Sequence, residues 1–452
     1  MSNGSYNRSS AFRGLLLVLL GVLFLLHRFA PALGIGHLIR LYWPVLIILW
    51  GVVKLMEHLR AQREGVARPA ILSGGEGALL ILVIVVLAGF SVADVVQRRH
   101  PGMDMHMDFF SQRYSQSLVI PPAKIPAGSL LTVQTGLGNI TVHAGDTDEV
   151  RVSVNETAAG HSESSAHDRM NEAGVAMEKS GSGYLLHAMN QSGRRGSVAV
   201  DLDVEVPKKI TLAAITPHGD ISISGIAGAV TATTDSGDVE IHDCGSDVSV
   251  DLKKGDVRIS DVAGDVRVTG KGSEVDVSDV AGDATLQGDF FGPIRLRNIA
   301  KTTHYTSQRT DLTLLRLTGR LELDSGDIQI ADVAGFAKIT THNRDIEVEN
   351  VAGRLEVVDS HGDINVNYSE PPREEISIVN DSGQVDVTLP SKSSFEISAV
   401  TRSGEVQSDF SDPSLKQAND SDTGRLTGRI GSRGPKISIV TSYGTIYLRR
   451  SS

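Results

Sequence analysis

Cysteine is nearly absent from this chain: 452 residues contain one, Cys244. A lone thiol excludes an intrachain disulfide and every zinc or iron–sulfur site built on several cysteines. Rings are scarce as well, at 5% of residues, and eleven of the 21 precede residue 116. Any core in the remaining 337 positions is therefore packed with Val, Ile, Leu and Ala. Positive charge is in deficit, the formal net being −11. Nucleic-acid surfaces need a basic footprint, so that class of partner is excluded. Catalytic signatures are missing too: there is no GxSxG elbow, HExxH helix, Walker loop or dinucleotide fingerprint after a strand. On these grounds the chain is expected to be no enzyme, with no catalytic, cofactor or metal residues to assign and no cofactor.

The charge is divided along the chain. Residues 1–100 hold ten Lys/Arg and four Asp/Glu, a net of +6, which leaves −17 for the rest. The same hundred residues carry three apolar runs: GLLLVLLGVLFLL from Gly14, LYWPVLIILWGVV from Leu41 and GALLILVIVVLAGF from Gly77. A spanning helix wants about 20 apolar residues. With His27, Arg28, Trp43 and Lys54 at the interfaces, the runs predict about three transmembrane helices, near 14–33, 41–58 and 77–97. A cleaved signal peptide does not explain two further runs directly behind the first. Basic residues flanking the spans number six against four in favour of a cytoplasmic N-terminus, which puts everything after residue 100 outside the cytoplasm. A re-entrant hairpin in the first pair would reverse that orientation. The pair RGLLLVLLGVLFLL and LYWPVLIILWGVVKL, about 45 residues in all, resembles the small transmembrane region of Lia-type envelope-stress proteins.

From Gly219 the chain repeats itself every 18 residues: GDISISGIAGAVTATTDS, GDVEIHDCGSDVSVDLKK, GDVRISDVAGDVRVTGKG and SEVDVSDVAGDATLQGDF, then GDIQIADVAGFAKITTHN from Gly326 and RDIEVENVAGRLEVVDSH from Arg344. Apolar residues fall at positions 3, 5, 8, 12 and 14, as in Val257, Ile259, Val262, Val266 and Val268. Period-two pairs at 3/5 and 12/14 predict two half-buried strands per unit, with SGD and VAG corners between them. So short a unit buries its apolar face only against copies of itself. The expected fold is an all-β solenoid, β-helix-like with 18-residue rungs rising about 4.8 Å each, behind the α-helical transmembrane region. An antiparallel meander folded into a sandwich is the alternative architecture.

Looser versions of the pattern flank the clean units. LLTVQTGLGNITVHAGDTDEVRVSV and VAVDLDVEVPKKITLAAITPHGDI bracket a polar insertion at about 156–197, and FEISAVTRSGEVQSDF and KISIVTSYGTIYLRR close the chain. Residues 411–434 read as a surface loop and 101–127 as a membrane-proximal linker. The LTV–GNITV–DEVRVSV opening, the SGDV/VAGDV units and the SYGTIYL ending are similar to the bacterial adhesin-like family of β-strand-repeat proteins over roughly 128–450. The resemblance implies an extracytoplasmic β-solenoid carried behind a membrane anchor.

Four features invite chemistry. Asp220, Asp238, Asp256, Glu274, Asp327, Asp345 and Asp363 share position 2 of their units; Asp243, Asp261, Asp279 and Asp332, with Asn350, share position 7. Stacked a few ångströms apart, such columns either bind cations between rungs or cap turns through the backbone. MDMHMD at 103–108 has soft donors suited to Cu(I) but also suits a plain linker. Cys244 falls where other units carry Val, which predicts a buried core thiol. The irregular stretch 288–310, with Phe290, Phe291, His304, Tyr305 and Arg309, is either a bulge or a binding surface.

The sequence therefore predicts a non-enzymatic protein of the bacterial cell membrane, multi-pass, with an extracytoplasmic C-terminal domain of structural, adhesive or sensing role. Its partners would be the lipid bilayer and envelope proteins or polysaccharide, with no nucleic acid. The alternatives are a regulator of an envelope-stress system acting through its transmembrane helices and a carbohydrate-active β-helix enzyme. The last would need longer rungs to build a cleft.

Overall fold

In the unit beginning at Gly255, Val257, Ile259, Val262, Val266 and Val268 are all at most 2% exposed, while Arg258 and Arg267 between them point outward. Period two thus sets the inner and outer faces, as expected. A computed structural model describes residues 112–160, 162–188, 198–420 and 423–452, all within the unit His106–Ser452. Among the described residues no helix is long and apolar enough to cross a membrane. The spans expected at 14–33, 41–58 and 77–97 lie outside the described residues.

Each unit supplies one strand to each of two ladders, and in the units from Gly219, Gly237 and Gly255 every strand pairs in parallel with its counterpart 18 residues on. In the first ladder Val230 stands opposite Val248, Val248 opposite Val266 and Val266 opposite Ala284. In the second, Ile221, Val239, Val257 and Val275 align in the same way. Strands that pair one rung ahead instead of with their chain neighbour rule out the antiparallel meander for the repeat. The inward residues of both ladders form one continuous core, almost wholly aliphatic.

The corners limit how close the rungs come. Gly219, Gly237 and Gly255 have φ of 148°, 154° and 142° and lie one above another. A Cβ on Gly237 would sit 1.9 Å from the Gly219 carbonyl oxygen. Backbone therefore packs on backbone at this corner, and no side chain fits.

The irregular stretch is where the chain reverses. Strand Ile294–Thr306 runs through both ladders, parallel to the rung before it. After the turn at 307–310, strand Asp311–Leu323 returns antiparallel along its whole length. Asp327–Val333 and Ala337–Thr340 pair antiparallel with that return strand. Parallel stacking then resumes, first with an 18-residue step, Ile328 to Ile346 to Ile364, and then with the 21-residue step from Ile364 to Val385. One reversed strand thus separates two parallel stacks.

Both ends of the stack are closed by insertion. Leu130–Gln134 lies between Gly183–Ala188 and Thr211–His218, and Ile140–Gly145 lies between Val198–Pro207 and Ile221–Ser224. At the other end Lys436–Tyr443 lies between Ile376–Ser382 and Phe395–Ser403. Antiparallel strands then cover the outermost rungs and blunt their open edges. Gln112–Lys124, within the expected linker, is a 13-residue strand paired with Glu149–Gly160, with Tyr114 and Ile120 packed on the core. The expected polar insertion contains the helix Glu163–Glu172, N-capped by Ser162 and burying Ala166 and Met170, followed by the hairpin Val175–Ser180/Gly183–Ala188. The expected loop at 411–434 contains strands Lys416–Asn419 and Gly424–Ile430, which cover Phe395–Ser403. Polar composition suggests a loop at 411–434, but a capping strand meets water on its outer side and is polar for that reason. Phe395 and Phe410 meet edge-on at 5.3 Å, filling the end of a column that is otherwise mostly aliphatic.

Gly237→Ala is expected to destabilise the protein by about 2 kcal/mol, in the range for enforced backbone strain. Gly326→Ala, where a Cβ meets nothing within 4 Å, is expected to be near neutral. Urea unfolding of the two variants checks the contrast.

Candidate functional site

The two acidic columns do different work, and both are structural. At position 2 the carboxylates of Asp220, Asp238, Asp256, Asp345 and Asp363 accept a backbone N–H from the next rung, while Glu274 pairs with Arg295. Asp220 Oδ1 accepts from Asp238 N at 2.8 Å, Asp238 from Asp256 N at 2.9 Å, and Asp256 from Glu274 N at 3.2 Å. The ladder extends back through Asn139 to Asp201 and recurs beyond the reversal, from Asp345 to Asp363 N and from Asp363 to Gln384 N. A carboxylate bonded to an N–H group has its charge compensated by an aligned donor, so like charges stack without a bridging ion.

Position 7 is explained by backbone conformation. Asp243, Asp261, Asp279, Asp332 and Asn350 all have φ between 54° and 58°. Asp and Asn tolerate this left-handed region better than other side chains with a Cβ. Asn298, in the irregular stretch, and Arg316, on the return strand, take the same conformation at φ 53° and 57°. The reversal therefore keeps the corner while losing the sequence pattern. Asn298 Nδ2 donates to Asp279 Oδ1 at 2.9 Å, and Asn350 Nδ2 to Asp332 Oδ1 at 3.2 Å.

A third ladder escaped the sequence reading. Asp247, Asp265 and Asp283 occupy position 11, and each accepts from the next rung: Asp265 N at 2.9 Å, Asp283 N at 2.9 Å and Thr302 N at 2.8 Å. The 18-residue period would have exposed it had every position been read for Asp. Glu156 was missed as well. It takes the inward phase of EVRVSVNETAAG, is fully buried, and accepts from Gln116 Nε2 at 2.6 Å, while Gln116 Oε1 lies 3.0 Å from His167 Nδ1. Glu156 Oε1 has no partner. Among the described residues no group of three or more His, Cys, Asp or Glu is placed to hold a metal ion. MDMHMD at 103–108 lies outside the described residues.

The singled-out residues of 288–310 do not converge. Tyr305 is buried in the core and Phe290 packs against it. Phe291 is 81% exposed in the turn after its strand. His304 faces outward, with Nδ1 3.0 Å from Thr313 Oγ1 and Nε2 2.8 Å from Thr306 Oγ1, and Arg309 stands at the tip of the reversing turn. What the reversal does build is a shallow, open depression of about 370 Å³ between Arg297, Arg320, Asp332 and Glu349. Arg297 is held there by Asp276 at 2.9 Å. A second open depression, about 450 Å³, lies at the C-terminal cap over Phe410, Leu415 and Leu426. Cys244 is 2% exposed, stacks opposite Val262, and has its thiol pushed up to about 11 by burial and by the neighbouring Asp243.

The Toastrack DUF4097 family model matches residues 129–290 and 264–449, one match over each part of the stack. Among curated proteins none matches the chain. Solved structures similar to it include a candidate cell adhesion protein from Clostridium sporogenes, 10% identical, covering 75% of this chain and 100% of that one at a TM-score of 0.18. Another is a candidate lipid-binding protein from Parabacteroides distasonis, 12% identical, covering 74% and 96% at 0.25. A third is a candidate adhesin from Bacteroides fragilis, 11% identical, covering 74% and 97% at 0.18. Likenesses at this level carry no argument about this chain.

Two outcomes follow from the corner chemistry. Asp261→Gly is expected to leave stability unchanged within a few tenths of a kcal/mol, whereas Asp261→Val should cost about 1–2 kcal/mol for a left-handed residue with a branched Cβ; thermal melts compare them. With its thiol raised to about 11, Cys244 is about one part in a thousand thiolate near pH 8. Maleimide labelling should therefore be negligible in the folded protein and complete in urea.

Proposed function

This chain belongs to the Toastrack DUF4097 family, and from that premise we propose that it is a non-enzymatic, membrane-anchored protein of the bacterial cell envelope whose β-solenoid ectodomain has a structural, adhesive or sensing role. The observation that carries this reading is how the polar corner residues are used. Most of the stacked carboxylates at positions 2 and 11 are engaged by backbone N–H groups of adjacent rungs. What remains for a partner is the outer surface of the ladders and two shallow depressions. Broad, regular strand faces suit contact with an extended surface, an envelope protein or polysaccharide, better than capture of a small substrate.

The anchor rests on sequence. Three apolar runs near 14–33, 41–58 and 77–97 sit in a segment of net charge +6, ahead of an acidic remainder. Basic flanks favour a cytoplasmic N-terminus and an extracytoplasmic solenoid. The lipid bilayer is then the first partner.

Reporter fusions after residue 115 are expected to be active only outside the cytoplasm, and activity inside would overturn the topology. Role is separated by two variants of the full chain. An adhesive or scaffold protein tolerates exchange of 14–33 and 41–58 for unrelated spans but fails when residues 219–290, four 18-residue units, are deleted. A regulator acting through its membrane helices, the reading suggested by LYWPVLIILWGVVKL, gives the opposite pair of results.

A further inference from the structure

A column of buried polar side chains runs up the first ladder, just before the glycine corner. It includes Thr216 and Thr234 in the first stack and Asp359, Asn380, Thr441 and Thr401 in the second, all at most 3% exposed. The last four are consecutive in register: Asp359 opposite Asn380, Asn380 opposite Thr441, Thr441 opposite Thr401. Four members of the column send a donor to the corner carbonyl of the adjacent rung. Thr216 Oγ1 donates to Gly138 O at 3.0 Å, Thr234 Oγ1 to Gly219 O at 3.3 Å, Asn380 Nδ2 to Gly362 O at 2.8 Å and Thr401 Oγ1 to Gly444 O at 2.9 Å.

Asp359 occupies the same position with an acceptor where the others have a donor. Its Oδ2 lies 2.9 Å from where a Cβ on Gly362 would sit; Asn380 Nδ2 lies 3.1 Å from the equivalent point at Gly383, and Thr401 Oγ1 3.2 Å from that at Gly404. The stacking beneath is also equivalent. The Cβ position of Gly362 is 2.1 Å from Arg344 O, as that of Gly383 is 2.0 Å from Gly362 O. The carbonyl presented to Asp359 is therefore that of Arg344, and neither carboxylate oxygen of Asp359 has a hydrogen-bond partner of good geometry, although the backbone N–H groups of Ser360 and His361 act on the carboxylate. An ionised carboxylate here would face a carbonyl oxygen in an aliphatic core, the costliest way to bury a charge.

We propose that Asp359 is carried in the folded protein as a neutral carboxylic acid whose Oδ2 proton is donated to the Arg344 carbonyl, making the second stack sensitive to pH. The titratable groups acting on it are His361 on its own strand and His342 in the turn after Ala337–Thr340, both exposed; when protonated they favour the ionised form. The backbone N–H groups of Ser360 and His361 favour that form as well; burial opposes all of these and is the largest influence, raising the carboxyl above its ordinary value of 3.8. The neighbouring strand contributes the neutral Asn380.

The sign follows from linkage. Above pH 3.8 the unfolded chain releases this proton while the folded protein still holds it. This contribution to stability is thus full below the ordinary carboxyl value, falls as pH rises to the folded one, and stays lost beyond it. Asp359→Asn places a permanent donor at the position, as Asn380 does one rung on. In the full chain it is expected to raise the melting temperature by about 2 °C or more near pH 7.5, with the gain vanishing near pH 3.5. An infrared pH titration supplies a second readout. Wild type should show a protonated-carboxyl band that persists above pH 5, roughly where other carboxyls have ionised, and that Asp359→Asn lacks. A variant less stable than wild type throughout the pH range, or no such difference band, overturns the proposal in favour of an ionised Asp359.

Discussion

Everything in this fold depends on one distance. Strands hydrogen-bonded in parallel lie about 4.8 Å apart, and an 18-residue unit returns each residue to a point directly over its predecessor. Whatever stands at one position in a rung must then tolerate its own kind, or its substitute, within touching distance. Valine tolerates it by packing, and glycine by bringing backbone onto backbone. At positions 2 and 11 most aspartates tolerate it by finding a donor, the next rung's N–H.

The same constraint explains why the ends differ from the middle. A parallel stack leaves an unpaired strand at either edge, a template for pairing with other chains. This chain places each terminal rung second from the end and covers the outermost one with antiparallel strands. The reversed strand Asp311–Leu323 meets a parallel stack on either side with antiparallel registers. Its corner at Arg316 keeps the left-handed geometry that Asp holds in the regular units. Regularity of backbone thus survives where regularity of sequence does not.

Stacking also sets the stakes for substitutions in the core. Inward aliphatic positions exchange Val, Ile, Leu and even Cys244 with little consequence, because each fills a similar slot opposite a similar neighbour. The polar column before the glycine corner is less forgiving. Threonine, asparagine and aspartate have similar size there, yet only a group with a proton to give satisfies the carbonyl below. An apparently conservative change in that column alters its hydrogen bonding and not its volume.

The sequence by itself determined the two strands per unit, their inward residues and the 18-residue step, because all three follow from local periodicity: Val257, Ile259, Val266 and Val268 are read directly from spacing. It also indicated that Cys244 stands in for valine. It left the acidic columns undecided between ion binding and turn capping, since a one-dimensional pattern does not say whether a carboxylate meets an N–H or another carboxylate. It read Gly424–Ile430 as part of a loop, because a capping strand is polar on the side that faces water, and Gln112–Lys124 as part of a membrane-proximal linker. Tertiary structure alone decided the reversal at Asp311, the insertion of the terminal rungs and the carbonyl that Asp359 meets. These depend on contacts between residues up to 81 positions apart, which local composition does not encode.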